Sequence, residues 1–529
     1  MFSPTLVHDY LSLSARGYPE KVAVASGTER LTYRSLDRLS DELAGFLSQV
    51  GVKRHDRVVV FMDNCIESVV ALYGILKAGA AFVILNGTIK PKRLSYILND
   101  SGAAAVVTHT AKARVIQEAL VEVKNLVTLL WVGDPSKIPT GFGKNSSSWV
   151  EIANPAEGHD LGSGSRFKEI RAAIIDQDLA ALIYTSGSTG EPKGVMSTHH
   201  NMVSAARSII QYIGNRPDDI IIEVLPLSFD YGLYQVLMSV MIGATAVFES
   251  FLFPVKVLQR IEADRVTGFP MVPTIASLLL KMQDLGKYDL SSIRYMTNTG
   301  AALPVEHIRK IRALFPDVRF YSMFGLTECK RTLYLPPEEV DRRPASVGKA
   351  IPNCEVFVLD ENGNEVATGE VGELVIRGSN VMRGYWNAPE LTARAYRPGK
   401  IPGEAWLYSG DYFRKDEEGY LYFLGRKDDM IKTRGERVSP KEMENVLSGM
   451  PGVEESAVMG VPDEMLGEAI KVFLVAMPGS TLTDKDLLRF CSENFESYMQ
   501  PKYIVFLAEL PKSKHGKIDK AALRDMEVH

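Results

Sequence analysis

The run DRVVVFMDNCIESVVALYGILKAGAAFVIL, residues 56–85, carries the reading of the fold. Residues 56–61 form a short β-rich run, residues 68–77 place apolar side chains along a helical face, and residues 80–85 return to a β-rich run. Strand, helix, strand is the grammar of a β-α-β unit, which builds parallel sheets covered by helices. The same alternation recurs at 103–108 before 111–121, and at 220–225 before 234–241. Several such units predict one large α/β body.

The pattern changes twice further along. Residues 133–165 are rich in Gly, Ser, Pro and Asn, which favours turns and predicts a surface excursion. From about Cys354 short strands alternate with turns such as Asp360-Glu361-Asn362-Gly363 and Asp416-Glu417-Glu418-Gly419, predicting a β-rich subdomain over 354–427. The charged run Lys427-Asp428-Asp429 then precedes a compact α/β tail. The expected domains are therefore an N-terminal body, 1–427, and a small mobile C-terminal α/β domain, 428–529. Ser439-Pro440-Lys441-Glu442 opens the tail's first helix, with Ser as cap, Pro in the first turn and Glu completing a capping box. Met443, Val446 and Leu447 then share one face.

Bulk properties exclude several classes. At 529 residues the chain exceeds what one core supports. Sixty basic and 65 acidic side chains, well mixed along the chain, give a net charge of -5, which argues against nucleic acid as a partner. The cluster Lys90, Lys92, Arg93 reads as a solvated loop. Cys65, Cys329, Cys354 and Cys491 lie far apart, which suggests neither a disulfide framework nor a zinc site and fits a reducing cytoplasm. The first residues lack the pattern of a signal peptide. The uncharged stretch 231–248 is interrupted by Gln235, Ser239, Gly243 and Thr245, and reads as a buried helix leading into a strand. No membrane span is expected, and peripheral contact with a lipidic substrate stays open.

Chemistry is concentrated in Tyr184-Thr185-Ser186-Gly187-Ser188-Thr189-Gly190-Glu191-Pro192-Lys193-Gly194, which follows the apolar run 179–183. Small residues let backbone N–H groups approach an anion, the hydroxyls add donors, and Lys193 adds a point charge, so the loop suits a polyphosphate. A flexible linker would predict neither the preceding strand nor the Lys-Gly ending. The Walker A pattern is absent, since no Gly precedes Gly190 at the required distance and Pro192 separates Glu191 from Lys193. The GxSxG elbow of serine hydrolases is absent too.

This loop resembles the signature of the adenylate-forming superfamily, which includes acyl-CoA synthetases, peptide-synthetase adenylation domains and beetle luciferases. Further matches follow in the superfamily's order: Asn298-Thr299-Gly300-Ala301-Ala302, Tyr321-Ser322-Met323-Phe324-Gly325-Leu326-Thr327-Glu328, Tyr408-Ser409-Gly410-Asp411, Gly425-Arg426-Lys427-Asp428-Asp429, Gly435-Glu436-Arg437 and Pro511-Lys512-Ser513-Lys514-His515-Gly516-Lys517. The resemblance covers nearly the whole chain and is nearest to an AMP-forming acyl-CoA synthetase. It implies ATP and Mg²⁺ as cofactors, with Thr185, Ser186, Gly187, Ser188, Thr189, Gly190 and Lys193 around the phosphates. Gly300, Ala301 and Ala302 would line the adenine, Phe324 would stack on it beside Gly325, and Asp411 would accept from the ribose hydroxyls. The resemblance puts Arg426 near the ribose and Arg437 near phosphate. Thr327-Glu328 offers hard oxygen donors, and the resemblance makes Glu328, with Thr185, the metal ligands. Lys517 would be the catalytic cation at the carboxylate and α-phosphate, acting with Glu328 and Thr185. Asp428 matches the hinge, Gly435 the thiol channel, and Phe229, Asp230 and Tyr231 the acyl pocket.

The implied reaction has two halves: a carboxylate attacks the α-phosphate of Mg·ATP with loss of pyrophosphate, and a thiol then attacks the acyl-AMP. No insertion separates Asp428 from the loop at Gly435, which favours completion of the thioester. The expected partners are a small carboxylic acid, ATP and coenzyme A as co-substrate, with an acyl carrier protein's pantetheine arm as the alternative acceptor. Asp230 aligns with the aspartate that pairs with the α-ammonium in amino-acid-activating relatives, so an amino acid stays open as substrate; a helix cap or backbone partner for Asp230 is the other reading. A nucleotide-binding protein without catalysis would lack Lys517 or Glu328, and both are present. A luciferase-like oxygenase would share the adenylation half. The oligomeric state is not indicated.

Overall fold

A computed structural model describes residues 3–124, 128–141, 146–153, 169, 171, 173–185, 191–251, 253–433, 436–463, 465–512, 518–524 and 526. Within residues 56–85 the strands β1 (Arg57–Phe61) and β2 (Ala81–Leu85) flank the helix α1 (Ile66–Lys77), and the two strands pair in parallel from Arg57 opposite Ala81 to Phe61 opposite Leu85. Side chains alternate across a strand, and here both faces are covered. Val58 and Val60 enter the main core, while Val59 and Phe61 enter a second core with Leu94, Ile97 and Trp131 on the other face. That double burial is why the strand is apolar at consecutive positions.

The same sheet continues past β2 to β3 (Leu179–Thr185), parallel to it, and β4 (Lys193–Thr198), which returns antiparallel with Thr185 opposite Lys193. Among the described residues this sheet has seven strands. A second, nine-stranded sheet holds β5 (Ile220–Glu223), followed by the helix α2 (Asp230–Ile242), and then β6 (Gly268–Met271), β7 (Tyr295–Asn298) and β8 (Arg319–Leu326) as parallel neighbours. The antiparallel strand β9 (Lys330–Tyr334) joins at β8. Parallel strands end at one edge, so the segments after β5, β6, β7 and β8 gather there, the usual place for a ligand crevice in such sheets. The uncharged stretch 231–248 is α2 leading into the strand Thr245–Phe248, as expected.

A β-rich subdomain follows, as expected, with a sheet of five strands among the described residues that includes β10 (Val371–Gly378), β11 (Ala405–Lys415) and β12 (Leu421–Arg426). The C-terminal part builds its own sheet around the long pair Val453–Asp463 and Gly467–Ala476, with a core of Met443, Leu447, Val458 and Val472. Its first helix, α3 (Pro440–Leu447), starts where the sequence places it. The Ser439 hydroxyl accepts from the Glu442 amide at 3.0 Å. The same hydroxyl donates to the Leu424 carbonyl at the end of the body.

Residues 133–165 depart from the expectation of turns alone. Ser146–Ser148 adds a parallel strand beside Thr128–Val132, and Trp149–Ala153 is a helical turn that buries Trp149 and Ile152. Ladder pairing uses backbone groups, so three serines form a strand where a partner edge is available. Residues 142–145 and 154–165 lie outside the described residues.

Lys77, at the last turn of α1, is fully buried and pairs with Asp37 at 2.6 Å and Asp41 at 2.8 Å on the helix Tyr33–Gln49. Both carboxylates are partly exposed and Asp41 also pairs with Arg171 at 3.3 Å, so losing the Lys77 ammonium costs about 1–3 kcal/mol. Lys77→Met should therefore lower the unfolding free energy by that order, and the triple change Asp37→Asn, Asp41→Asn, Lys77→Met should recover most of it, as followed by circular dichroism in denaturant.

Candidate functional site

The end of the β3–β4 hairpin is fixed from outside the sheet by residues 383–386. The Met196 amide donates to the Gly384 carbonyl at 2.9 Å, the Arg383 amide to Met196 at 3.0 Å, and the Trp386 amide to Gly194 at 2.7 Å. The Trp386 indole N–H donates to the Asp100 carbonyl at 2.9 Å, which anchors the segment. Tyr385 is thereby set between two site elements. The Lys193 ammonium lies 5.7 Å from its ring centre, and its hydroxyl donates to the Glu328 carboxylate at 2.7 Å. Burial and then the Glu328 charge push the phenol pKa above its usual value, partly opposed by Arg426. The phenol stays a donor across the physiological range. Tyr385 is a site residue that the sequence reading missed; its only signal was an aromatic between Gly384 and Trp386 after a strand.

Glu328 stands in the turn between β8 and β9. Gly325 permits that turn: a Cβ there would lie 1.8 Å from the Lys330 carbonyl oxygen. Any side chain at 325 would force the two strands apart. Ladder pairing sets Phe324 opposite Leu333 and Leu326 opposite Lys330. The Phe324 ring packs on Phe423 at 5.8 Å, nearly parallel, and meets Phe413 edge-on at 4.9 Å, so β11 and β12 of the subdomain hold it while part of its surface stays open. The Met382 amide donates to the Glu328 carbonyl at 2.8 Å, and the Asn380 side chain donates to the Cys329 carbonyl at 2.8 Å. The turn carrying Thr327 and Glu328 is thus braced by the same 380–386 segment.

At the start of α2, Phe229 is the residue before the first helical turn, and its ring lies 3.2 Å from where a Cβ on Gly300 would stand. Gly300 has φ of +88°, a conformation that favours glycine. Phe229 and the 300–302 segment after β7 therefore share one wall. The Ala301 carbonyl accepts from the Asn298 side chain at 3.4 Å, and Ala302 is half-buried beside it. Tyr231 is buried, with its hydroxyl at 2.5 Å from the Thr297 hydroxyl and its ring 4.6 Å from the Arg331 guanidinium. Arg331 also donates to the Tyr231 carbonyl at 3.2 Å. Beneath them Glu223 is fully buried, and burial pushes its carboxyl up to about 8.

Asp230 does not act as the helix cap. It is the first residue of α2, and its carboxylate faces the ammonium of Lys330 at 4.0 Å. Lys330 is fully buried, its ammonium donates to the Thr327 carbonyl at 3.1 Å, and it lies 5.7 Å from the Tyr234 ring. Burial lowers the Lys330 pKa from the usual lysine value, opposed by the Asp230 and Glu328 carboxylates. No sequence pattern singled out Lys330.

Asp411 and Arg426 are direct cross-strand partners on β11 and β12, with side chains at 3.4 Å; Asp411 is buried and Arg426 half-exposed. Asp428 falls in the short helical turn Lys427–Asp429 that leaves β12, and Arg437 in the strand Glu436–Val438, opposite Lys432. Ser186, Gly187, Ser188, Thr189, Gly190, Gly435 and Lys517 lie outside the described residues. The residues flanking the Lys517 loop, Lys512 and Ile518, form an antiparallel bridge.

Residues 11–386 match a family model described as AMP-binding enzyme, and residues 442–517 match one described as AMP-binding enzyme C-terminal domain. The chain is 32% identical to a long-chain-fatty-acid–CoA ligase of Escherichia coli O157:H7, over 98% of this chain and 94% of that protein. Among solved structures it is similar to ATP-bound MatB from Rhodopseudomonas palustris, at 28% identity and a TM-score of 0.84 over 97% of this chain and 98% of that one. It is also similar to a Mycobacterium tuberculosis fatty acyl CoA synthetase, at 30% identity and a TM-score of 0.74 over 98% of each chain.

Tyr385→Phe removes one hydroxyl donor to Glu328 and leaves the ring under Lys193 in place. A hydrogen bond to a charged group is worth about 1.5–3 kcal/mol, so nucleotide binding should weaken about tenfold or more. Titration calorimetry with and without Mg²⁺ checks this, and an unchanged affinity would show that Glu328 needs no positioning.

Proposed function

The chain belongs to the AMP-binding enzyme family, and on that premise we propose that it is an AMP-forming ligase that joins a fatty acid to coenzyme A. The observation that carries this reading is the convergence of Lys193, Tyr385 and Glu328 at the ends of β4 and β8, linked to the wall formed by Phe229 and Gly300 through the Asp230–Lys330 pair and the Thr327 carbonyl. A cation, an oriented carboxylate and an apolar wall suit a polyphosphate, its metal and an acyl chain.

In this reading Thr185, Lys193 and the loop 186–190 hold the phosphates, and Phe324 takes the adenine against the segment 300–302. Asp411, set by Arg426, takes the ribose. The donor set fits Mg²⁺, which takes one or two carboxylates together with phosphate oxygens. Glu328 is partly exposed, and one of its oxygens is oriented by Tyr385. Glu328 and Thr185 would hold the ion, which when bound neutralises phosphate charge. Lys517 neutralises the charge that builds as the acid's carboxylate attacks the α-phosphate, and pyrophosphate leaves. The protein supplies in-line positioning and cations, with no nucleophile of its own.

The thiol half follows rotation of the C-terminal domain, whose boundary we place at 427/428. Asp428 sits in the turn between β12 and that domain, where a few dihedrals can absorb the movement. Arg437 then trades its place near phosphate for one outside, and Gly435 leaves room for the pantetheine arm. The fatty acid as substrate rests on the likeness to the ligases above and on an acyl wall built from Phe229, Tyr231 and Val272, the last lying 3.6 Å from where a Cβ on Gly300 would stand.

With ATP, Mg²⁺, coenzyme A and saturated acids of graded length, the protein should release pyrophosphate and AMP and consume free thiol in equal amounts. Lys517→Ala should abolish pyrophosphate release while thioester formation from supplied acyl-AMP continues; near wild-type release in this variant would remove Lys517 from catalysis. Asp428→Pro should stiffen the turn, keep pyrophosphate release and lose thioester formation, and an equal loss of both halves would place the hinge elsewhere.

A further inference from the structure

Lys330 carries two conformational burdens at once. It is a non-glycine residue with φ of +59°, and its ammonium is fully buried. Backbone strain and a desolvated charge seldom coincide without a role, and both are imposed here by one residue at the foot of β9. The left-handed backbone at 330 closes the tight turn after Gly325 and turns the side chain inward, under the first turn of α2. There it meets the Asp230 carboxylate, with the Thr327 carbonyl and the Tyr234 ring completing its surroundings.

Asp230 lies between Phe229 and Tyr231, the residues read above as bordering the acyl chain. A buried carboxylate at that place, left unpaired, would draw a cation from the substrate, and an α-ammonium is the cation nearest to a reacting carboxylate. The chain instead supplies its own cation from β9. We propose that Lys330 is a specificity-determining residue, which neutralises Asp230 from within the protein so that the pocket takes acids with an uncharged α-carbon and rejects α-amino acids. This deepens the ligase reading and rests on it. The chemistry is selection by an internal counter-ion: a substrate ammonium entering beside Lys330 would face a like charge and find its carboxylate already occupied.

The test compares octanoic acid with 2-aminooctanoic acid, which differ only by the α-amino group, in pyrophosphate-release assays of the full chain alongside simple acids of other lengths. The wild type should favour the unsubstituted acid by kcat/KM. Lys330→Met should shrink that preference by about tenfold or more, as Asp230 becomes free to pair with the substrate, and Lys330→Arg should retain it. Asp230→Asn, which keeps the volume and leaves Lys330 unpaired, should raise the use of 2-carboxyoctanoic acid relative to octanoic acid by a similar factor. It serves also if Lys330→Met does not fold. Unmoved ratios in the folded variants, or wild-type protein that uses 2-aminooctanoic acid as well as octanoic acid, would overturn the inference and leave the ligase reading intact. Failure of every simple acid with the wild type would instead overturn the ligase reading itself.

Discussion

The approach of β8 to β9 at Gly325 is the constraint from which the candidate site is built. With no side chain at 325, the Lys330 carbonyl can sit where a Cβ would be, and the strand reverses within three residues. Four groups then take their places from one turn: the Phe324 ring against the subdomain, Thr327 and Glu328 at its tip, and Lys330 beneath α2. A larger residue at 325 would collide with backbone, which cannot yield as a flexible side chain can. The 380–386 segment braces the tip from outside through the Glu328 and Cys329 carbonyls, and links it to the β3–β4 hairpin through Gly194 and Met196. Two sheets and the subdomain are thus held in common at the place where chemistry is proposed.

Buried charge is treated differently in the body and at the site. In the body it is closely matched: Lys77 meets two aspartates, Arg54 grips Asp178 through two bonds of 2.7 Å, and Arg294 reaches both oxygens of Asp219. Beside Tyr231 it is matched loosely. Arg331 is buried with its Nε and Nη1 lacking a hydrogen-bond partner among the described residues, as is Oε2 of Glu223. Buried polar groups are normally satisfied, since each orphan costs about 1–3 kcal/mol.

The C-terminal domain meets the body through contacts of modest strength. Ser439 donates to Leu424, Met430 packs with Tyr412 and Leu424, and Lys281 pairs with Glu454. The Lys281 side chain is 57% exposed, and ion pairs of that kind are worth about 1 kcal/mol or less.

Local patterning was enough to read the α/β class, the β-rich subdomain and the separate tail, because strand and helix periods and turn residues are properties of neighbours in the chain. The strands at 57–61, 81–85 and 179–185 and the capped helix at 440 all formed where those patterns lie. Resemblance supplied the order of the site residues, yet it left Asp230 between a substrate ammonium and a helix cap. Tertiary structure sets Asp230 inside the first turn of α2 instead of at its cap, and brings Lys330 from 100 positions away to its carboxylate. It also brought Tyr385 to Glu328 across 57 positions, and made a strand of three serines at 146–148. Those pairings depend on which strand edges and turns meet, and on a glycine small enough to let them meet. A linear pattern records the residues that can pair, but the distances between them exist only once the sheets have formed.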